Sequence, residues 1–247
     1  MHNKSNPTVT IYITNYNYGK YIEQAIQSVL KQTYQDFELI IIDDGSTDNS
    51  REIIAKYEDI DGFRFILQNN KGLNASNNVA LMLARGKYIM RLDADDYLAD
   101  DAIEKIVKII DSDPNIALVF PDYYEIDSNG NIIREIKRHN FAEDVTLYDQ
   151  PAHGACTMIR KNILIKVGKY DEDFDRQDGY DLWLKVINKY KINNINEPLF
   201  YYRQHGINLT IDNYSLLKTR AKIKKSHVEK GNYGSLNTLT IIPVRGI

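Results

Sequence analysis

The sequence predicts an α/β protein: a mostly parallel sheet covered by helices on both faces, with a helical extension at its C-terminal end. Three observations predict it. Short β-rich runs alternate with helical patterns through the first half of the chain. Those runs are almost continuously apolar, as strands buried on both faces are. Polar clusters follow several of them, at the edge where open parallel sheets bind ligands.

Residues 9–14 read as a first buried strand, and Tyr21, Ile22, Ala25, Ile26, Val29 and Leu30 carry helical spacing behind it. A second strand covers 37–42. Ser46-Thr47-Asp48 then offers a cap for a helix through Ile53, Ile54 and Tyr57. The third strand is 63–67, with a helix around 75–84 that Gly86 breaks. A fourth strand covers 88–92, a helix 102–110 and a strand 116–120. Runs at 123–126 and 132–136 flank Asp127-Ser128-Asn129-Gly130-Asn131, a hairpin with Asn-Gly in its turn. Residues 140–154 read as loop and as part of a binding lip. A helix over 180–190 and an extended stretch over 192–202 follow. From 215 to 230 the pattern is helical and basic, with Lys218, Arg220, Lys222, Lys224 and Lys225.

Composition narrows the function. With 43% hydrophobic and 26% charged residues in 247, the chain can bury a core and is not a disordered one. A net charge of −3 argues against a nucleic-acid binder. The single cysteine, Cys156, leaves no internal disulfide framework and suits a cytoplasmic protein. No apolar run approaches the roughly 18 residues of a membrane span, and the polar start has no signal-peptide core behind it.

The chemistry sits in the polar clusters. Thr14-Asn15-Tyr16-Asn17 ends the first strand, Asp43-Asp44-Gly45-Ser46 the second and Asp93-Ala94-Asp95-Asp96 the fourth. They are distant in sequence, yet one sheet edge would bring them to one ligand. Like charges as close as those of 93–96 repel unless a cation offsets them. A divalent ion held by carboxylate and phosphate oxygens would do so; the plainer alternative is a solvated loop with a cap for the next helix. Asp43-Asp44-Gly45 likewise reads either as a turn before a capped helix or as a carboxylate for a base or ribose.

Residues 9–17, with Ile26-Gln27-Ser28-Val29-Leu30-Lys31-Gln32-Thr33, resemble the opening of family-2 glycosyltransferases. Residues 37–48 are similar to that family's most recognisable segment, Asn69, Lys71, Gly72 and Asn77 fit its next motif, and Arg91-Leu92-Asp93-Ala94-Asp95-Asp96 resembles its Asp-x-Asp motif. Order and spacing hold from about residue 8 to about 210. The resemblance implies a GT-A fold, a Rossmann-like αβα sandwich, and inverting transfer of a sugar from a nucleoside diphosphate donor to a hydroxyl of a glycan or lipid-linked acceptor. It implies Mn²⁺ or Mg²⁺ as cofactor, a cytoplasmic setting that extends to the inner membrane face, and a role in bacterial surface glycan synthesis. By motif, Thr14 and Tyr16 would line the base pocket, Asp44 hold the base, Asp93 approach the ribose or metal, and Asp95 ligate the metal. Asp96 would stand behind them or cap the helix, and Asn77 would lie with the donor. Where the family often has Ala-Arg-Asn, this chain has Ala75-Ser76-Asn77, so Lys71 or Arg203 is expected to supply the missing phosphate contact.

On the acceptor side, Gln177-Asp178-Gly179-Tyr180-Asp181-Leu182-Trp183-Leu184 resembles the family segment in which an acidic pair precedes an aromatic helix. Asp178 is the favoured catalytic base and Asp181 its rival; both also read as charges at a helix start. The run 201–210 resembles the closing motif, in which His205 would reach the metal or diphosphate and Arg203 the phosphates. Trp183 reads as core, and His153 and Cys156 fall in a stretch that would line the acceptor pocket. The ending, 236–247, resembles the first strand and loop of sugar nucleotidyltransferases and cytidylyltransferases, cut before the loop completes; its plainer reading is an edge strand. The expected division is therefore 1–210 for the transferase domain, 211–235 for a basic helical extension and 236–247 for the start of a second domain. The rivals are a sugar nucleotidyltransferase, for which Asn15-Tyr16-Asn17-Tyr18-Gly19-Lys20 is a poor phosphate loop, and a silent nucleotide-sugar-binding module.

Overall fold

The computed structural model describes residues 6–138, 152–187, 189–206 and 212–232. The elements run β1 (Val9–Asn15), α1 (Ile22–Leu30), β2 (Phe37–Asp43), α2 (Ser50–Ala55), β3 (Phe63–Leu67), α3 (Leu73–Leu83), β4 (Tyr88–Asp93) and β5 (Tyr97–Leu98). Then come α4 (Ala102–Ser112), β6 (Ile116–Ile126), β7 (Ile132–Ile136), β8 (Met158–Arg160), α5 (Lys161–Lys166), α6 (Asp178–Val186), β9 (Lys191–Arg203) and α7 (Asn213–Glu229).

The sheet order is β3-β2-β1-β4-β8-β6-β9-β5, with β7 paired to β6. β3, β2, β1 and β4 are parallel, as are β6 and β9. β8 enters between β4 and β6 antiparallel to both, so the sheet is mixed in its second half. Alternation along β1 shows the layering. Val9, Ile11 and Ile13 pack on the face covered by Ile22, Ile26 and Val29 of α1 and Ile103, Ile106 and Ile110 of α4. Tyr12 faces the opposite core with Leu81 of α3, Leu164 of α5 and Trp183 of α6. Burying side chains of this size stabilises by about 1.5–3 kcal/mol each. Trp183, 1% exposed, packs edge-on against Phe120 and is core, as the sequence predicts.

Several boundaries move. The runs 116–120 and 123–126 are one strand, β6, which pairs with β9 through register shifts around Pro121 and Asp122. The hairpin turn forms as expected: Asp127 accepts from the backbone amides of Asn129 and Asn131, and Gly130 takes φ 93°. The N-cap of α2 is Asn49 rather than a residue of 46–48; just before it, the Asp48 carboxylate accepts from Ser50 N at 3.0 Å and Gly19 N at 2.8 Å. α6 starts at Asp178 rather than at 180. The basic pattern forms α7, which packs on α6 through Ile223 against Phe174, Tyr180 and Leu184. The proposed lip over 140–151 and the nucleotidyltransferase-like stretch 236–247 lie outside the described residues.

Candidate active site

A cleft of about 830 Å³ opens along the carboxyl ends of β1, β2 and β4. Parallel pairing places Asn15 beside Asp43 and Thr14 beside Asp93, which brings the three polar clusters together. Thr14, Tyr16, Asp44, Asp93, Asp95 and Asp178 all line the cleft. Tyr16 stands at the mouth, 47% exposed, where an aromatic ring can stack on a base.

The two acidic residues at the carboxyl end of β2 serve different ends. Asp43 is fully buried and structural: it accepts from Asn15 Nδ2 at 2.8 Å and Ser46 N at 2.9 Å. Asp44 faces the cleft, and its oxygens accept from Gln68 Nε2 at 2.7 Å, Lys71 N at 2.9 Å and Gly72 N at 2.8 Å. It thereby fixes the loop leading into α3.

Arg91, in the middle of β4, organises the centre. It is 5% exposed, its Nε lies 2.8 Å from Asp93, and its Nη1 donates to Asp178 Oδ2. Gly154 makes room for it, since a Cβ there would fall 2.3 Å from Arg91 Nη2. Gly179 lets α6 come close in turn, because its Cβ would meet the Gly154 backbone at 3.3 Å. Asn77 also reaches Asp178 Oδ2, at 3.4 Å. Both contacts fall on one carboxylate oxygen; among the described residues no hydrogen bond falls on Oδ1.

Asp181 is placed differently. It is buried outside the cleft, with His227 Nε2 at 2.8 Å from Oδ1 and Lys185 Nζ at 2.6 Å from Oδ2.

At the β4 end, Asp95 Oδ2 lies 2.8 Å from His205 Nε2, and His205 stacks on Tyr21 at 5.5 Å. Burial pushes the Asp93 carboxyl up to about 6, with Arg91 opposing and Asp95 adding to it. Asp96 is pushed well above the carboxylate range by burial, then by Asp95 and Asp93. Its Oδ2 is buried and finds no hydrogen-bond partner among the described residues. Among the described residues no three side chains converge as a closed metal cage. A carboxylate, an imidazole and crowded acidic neighbours instead fit a hard divalent ion that takes its other oxygens from substrate phosphate and water.

Three expected contacts sit elsewhere. Asn77 is fully buried and meets Asp178 rather than the open cleft. Arg203 is 2% exposed and outside the cleft lining; it donates to Asp95 O, Asp127 O and Gln24 Oε1. Its backbone N donates to Asp96 Oδ1 at 2.9 Å, which ties the β9 end to the acidic cluster. Lys71 likewise contributes its backbone amide, to Asp44. The arginines lining the cleft are Arg91, Arg138, Arg176 and Arg220. None was singled out for this from the sequence, although a lone arginine inside the apolar run of β4 is a readable signal. His153 lines the cleft, and burial followed by the Arg138 and Arg91 charges lowers it to about 3. Cys156 is fully buried in the core. In 15–20, Asn17 N donates to Ser46 Oγ and Gly19 N to Asp48 Oδ2, so amides a nucleotidyltransferase would turn to phosphate are already engaged.

Against this geometry, the sequence profile of Glycosyl transferase family 2 matches residues 10–168. The chain belongs to that family. This glycosyltransferase is 36% identical over 212 residues to an uncharacterized glycosyltransferase of Methanocaldococcus jannaschii, covering 80% of this chain and 71% of that one. It is 30% identical over 240 residues to the chondroitin synthase of Escherichia coli, covering 94% of this chain and 35% of the synthase. With the hyaluronan synthase of Pasteurella multocida the figures are 31% over 214 residues, 86% and 22%. The transferase thus spans 35% of one synthase and 22% of the other. Among solved structures, Staphylococcus aureus TarS 1-349 in complex with UDP-GlcNAc superposes with a TM-score of 0.74 at 20% identity, over 90% of this chain and 66% of that one. The mannosyltransferase PcManGT of Pyrobaculum calidifontis, in complex with GDP-Man and Mn²⁺, gives 0.67 at 17% identity, over 91% and 65%. The transferase has the GT-A fold.

Proposed function

We propose that this transferase moves a sugar from a nucleoside diphosphate donor to a hydroxyl of a glycan or lipid-linked acceptor, with inversion, and that Asp178 is the base. The observation that carries the reading is the placement of Asp178. Arg91 and Asn77 hold one of its oxygens, while the other is left to take a proton in the cleft that Asp93 and Asp95 also line. As the acceptor oxygen bonds to the anomeric carbon, the bond from that carbon to the phosphate oxygen breaks. The diphosphate leaves with the bonding pair, and the hydroxyl proton passes to Asp178.

Asp95 and His205 would hold Mn²⁺ or Mg²⁺, which when bound supplies positive charge to the departing diphosphate. Thr14, Tyr16 and Asp44 would receive the nucleoside. A role in building a surface polysaccharide rests on the two synthases among the relatives. Contact with the membrane face is supported by α7, which turns Tyr214, Leu217, Lys218, Lys222 and Lys225 outward. Among the described residues no helix is long and apolar enough to cross a membrane.

The test is a panel of nucleotide sugars assayed for diphosphate release with oligosaccharide acceptors. Release that needs an acceptor and is lost in Asp178→Asn is the expected result. Donor binding without release under any condition would favour a silent binding module.

A further inference from the structure

The residue just before the proposed base is held in an uncommon backbone conformation. Gln177 has φ 62° and ψ 30°, the left-handed region that a glutamine rarely adopts, and Asp178 opens α6 directly after it. Such a conformation persists only where surrounding contacts over-determine it. Part of that grip is local: Gln177 O accepts from Tyr180 N at 3.0 Å and from Asp181 N at 3.1 Å. The rest comes from α7. Arg220 Nε donates to Gln177 Oε1 at 2.8 Å, and its guanidinium lies 4.9 Å above the Tyr180 ring. About two turns further along α7, His227 meets Asp181 in the first turn of α6 at 2.8 Å, with both side chains buried. Ile223 fills the space between them against Tyr180 and Leu184. One helix therefore grips α6 on both sides of the point where Asp178 leaves it.

We propose that α7 is part of the catalytic apparatus: Arg220 is a positioning residue that sets the Gln177 turn, and through it the aim of the Asp178 carboxylate. His227 and Asp181 anchor the far end of the same brace. This rests on the reading of Asp178 as the base. Leu216 and Arg220 line the cleft themselves, so the brace also closes one wall of it. A helix that merely followed the domain as a linker would have no reason to hydrogen-bond the residue before the base.

The test uses the full chain and the variants Arg220→Ala, Gln177→Ala, the double variant and Arg220→Lys. Two readouts are taken: hydrogen–deuterium exchange of the peptide covering 176–181, and kcat and KM for the donor that the nucleotide-sugar panel identifies. In Arg220→Ala, exchange should quicken at 176–181, and kcat should fall by about 10–100-fold, as small misplacements of a reacting group cost. KM for the donor should stay within about two-fold, because the nucleoside end is untouched. Gln177→Ala should match it, the double variant should be no worse than either single change, and Arg220→Lys should recover part of kcat. Unchanged exchange at 176–181, or a double variant equal to the product of the singles, would overturn the brace. If the wild-type chain releases diphosphate from no sugar, the functional reading fails while the exchange data still decide this one.

Discussion

Asp178 and Asp181 stand three positions apart at the start of one helix, and the sequence leaves both as candidates. Their surroundings separate them. Asp178 meets a cation on one oxygen and the cleft on the other; Asp181 has both oxygens occupied by His227 and Lys185. Asp178→Asn should therefore lower transfer by about 10²–10⁴-fold while leaving nucleotide affinity, read by calorimetry, nearly unchanged. Asp181→Asn should show a different pattern: transfer lowered far less than in Asp178→Asn, by slackening of the brace alone, with the thermal midpoint lowered by several degrees. Removing one member of a buried ion pair costs about 3–5 kcal/mol, and each kcal/mol is worth about 2–4 °C at this chain length. Loss of activity at unchanged midpoint in Asp181→Asn would reverse the assignment. At the other end of the cleft, Asp95→Ala should abolish any tightening of UDP binding by Mn²⁺, measured by titration with and without chelator. The acidic residues were legible because like charges in a row demand an explanation. The partners of the arginines were not, since only folding shows that Arg91 lies between Asp93 and Asp178, or that Arg203 bonds Asp95 O, Asp127 O and Gln24.

At the scale of elements, Glu38 gives β2 a contribution to stability that depends on pH. Burial by itself would raise its pKa. The Thr10 hydroxyl, the Arg85 amide and guanidinium, and Arg64 outweigh that and hold it below the ordinary 4.5. A carboxylate depressed in the folded state adds stability that is present above its unfolded pKa and lost as pH falls through the folded one. Urea midpoints should therefore put Glu38→Gln below the wild type at pH 7, with the gap closing toward pH 3; a constant gap would show that Glu38 acts by packing alone. Elements with strong periodicity were legible: β1, β2 and β4 as apolar runs, α1 and α4 as apolar stripes. β5 and β8, of two and three residues, are too short to carry a period and exist because their sheet neighbours supply the hydrogen bonds. The start of α6 was misplaced because Gly179 reads as a breaker, whereas its missing side chain is what lets the helix approach Gly154.

Taken whole, the molecule has an acidic cleft edge and a basic outer face on α7. With Lys218, Lys222 and Lys225 turned outward beside Tyr214 and Leu217, the chain should float with vesicles containing anionic phosphatidylglycerol and not with neutral phosphatidylcholine. Reversing the three lysines to glutamate should abolish flotation; persistence would assign the attraction to another surface. The parallel half was legible because apolar strands alternate with helical patterns, and the GT-A architecture followed only from the resemblance carried by the motifs. The mixed second half was not, since β8 reaches its place between β4 and β6 by pairings that leave no local trace.

The split between those halves has a kinetic consequence. β1, β2, β3 and β4 lie within residues 9–93, so four parallel strands can assemble as soon as that stretch of chain exists. β6 must wait for β9, some seventy-five positions later, and long loops close slowly. Chains of this size fold through populated intermediates. The early one should hold the nucleoside site of Thr14, Tyr16 and Asp44 before it holds a base or His205, and pulse-labelled amides in β1, β2 and β4 should gain protection ahead of those in β6 and β9. During synthesis the nucleoside-binding strands would then be finished first, with the base and the histidine beside Asp95 added last.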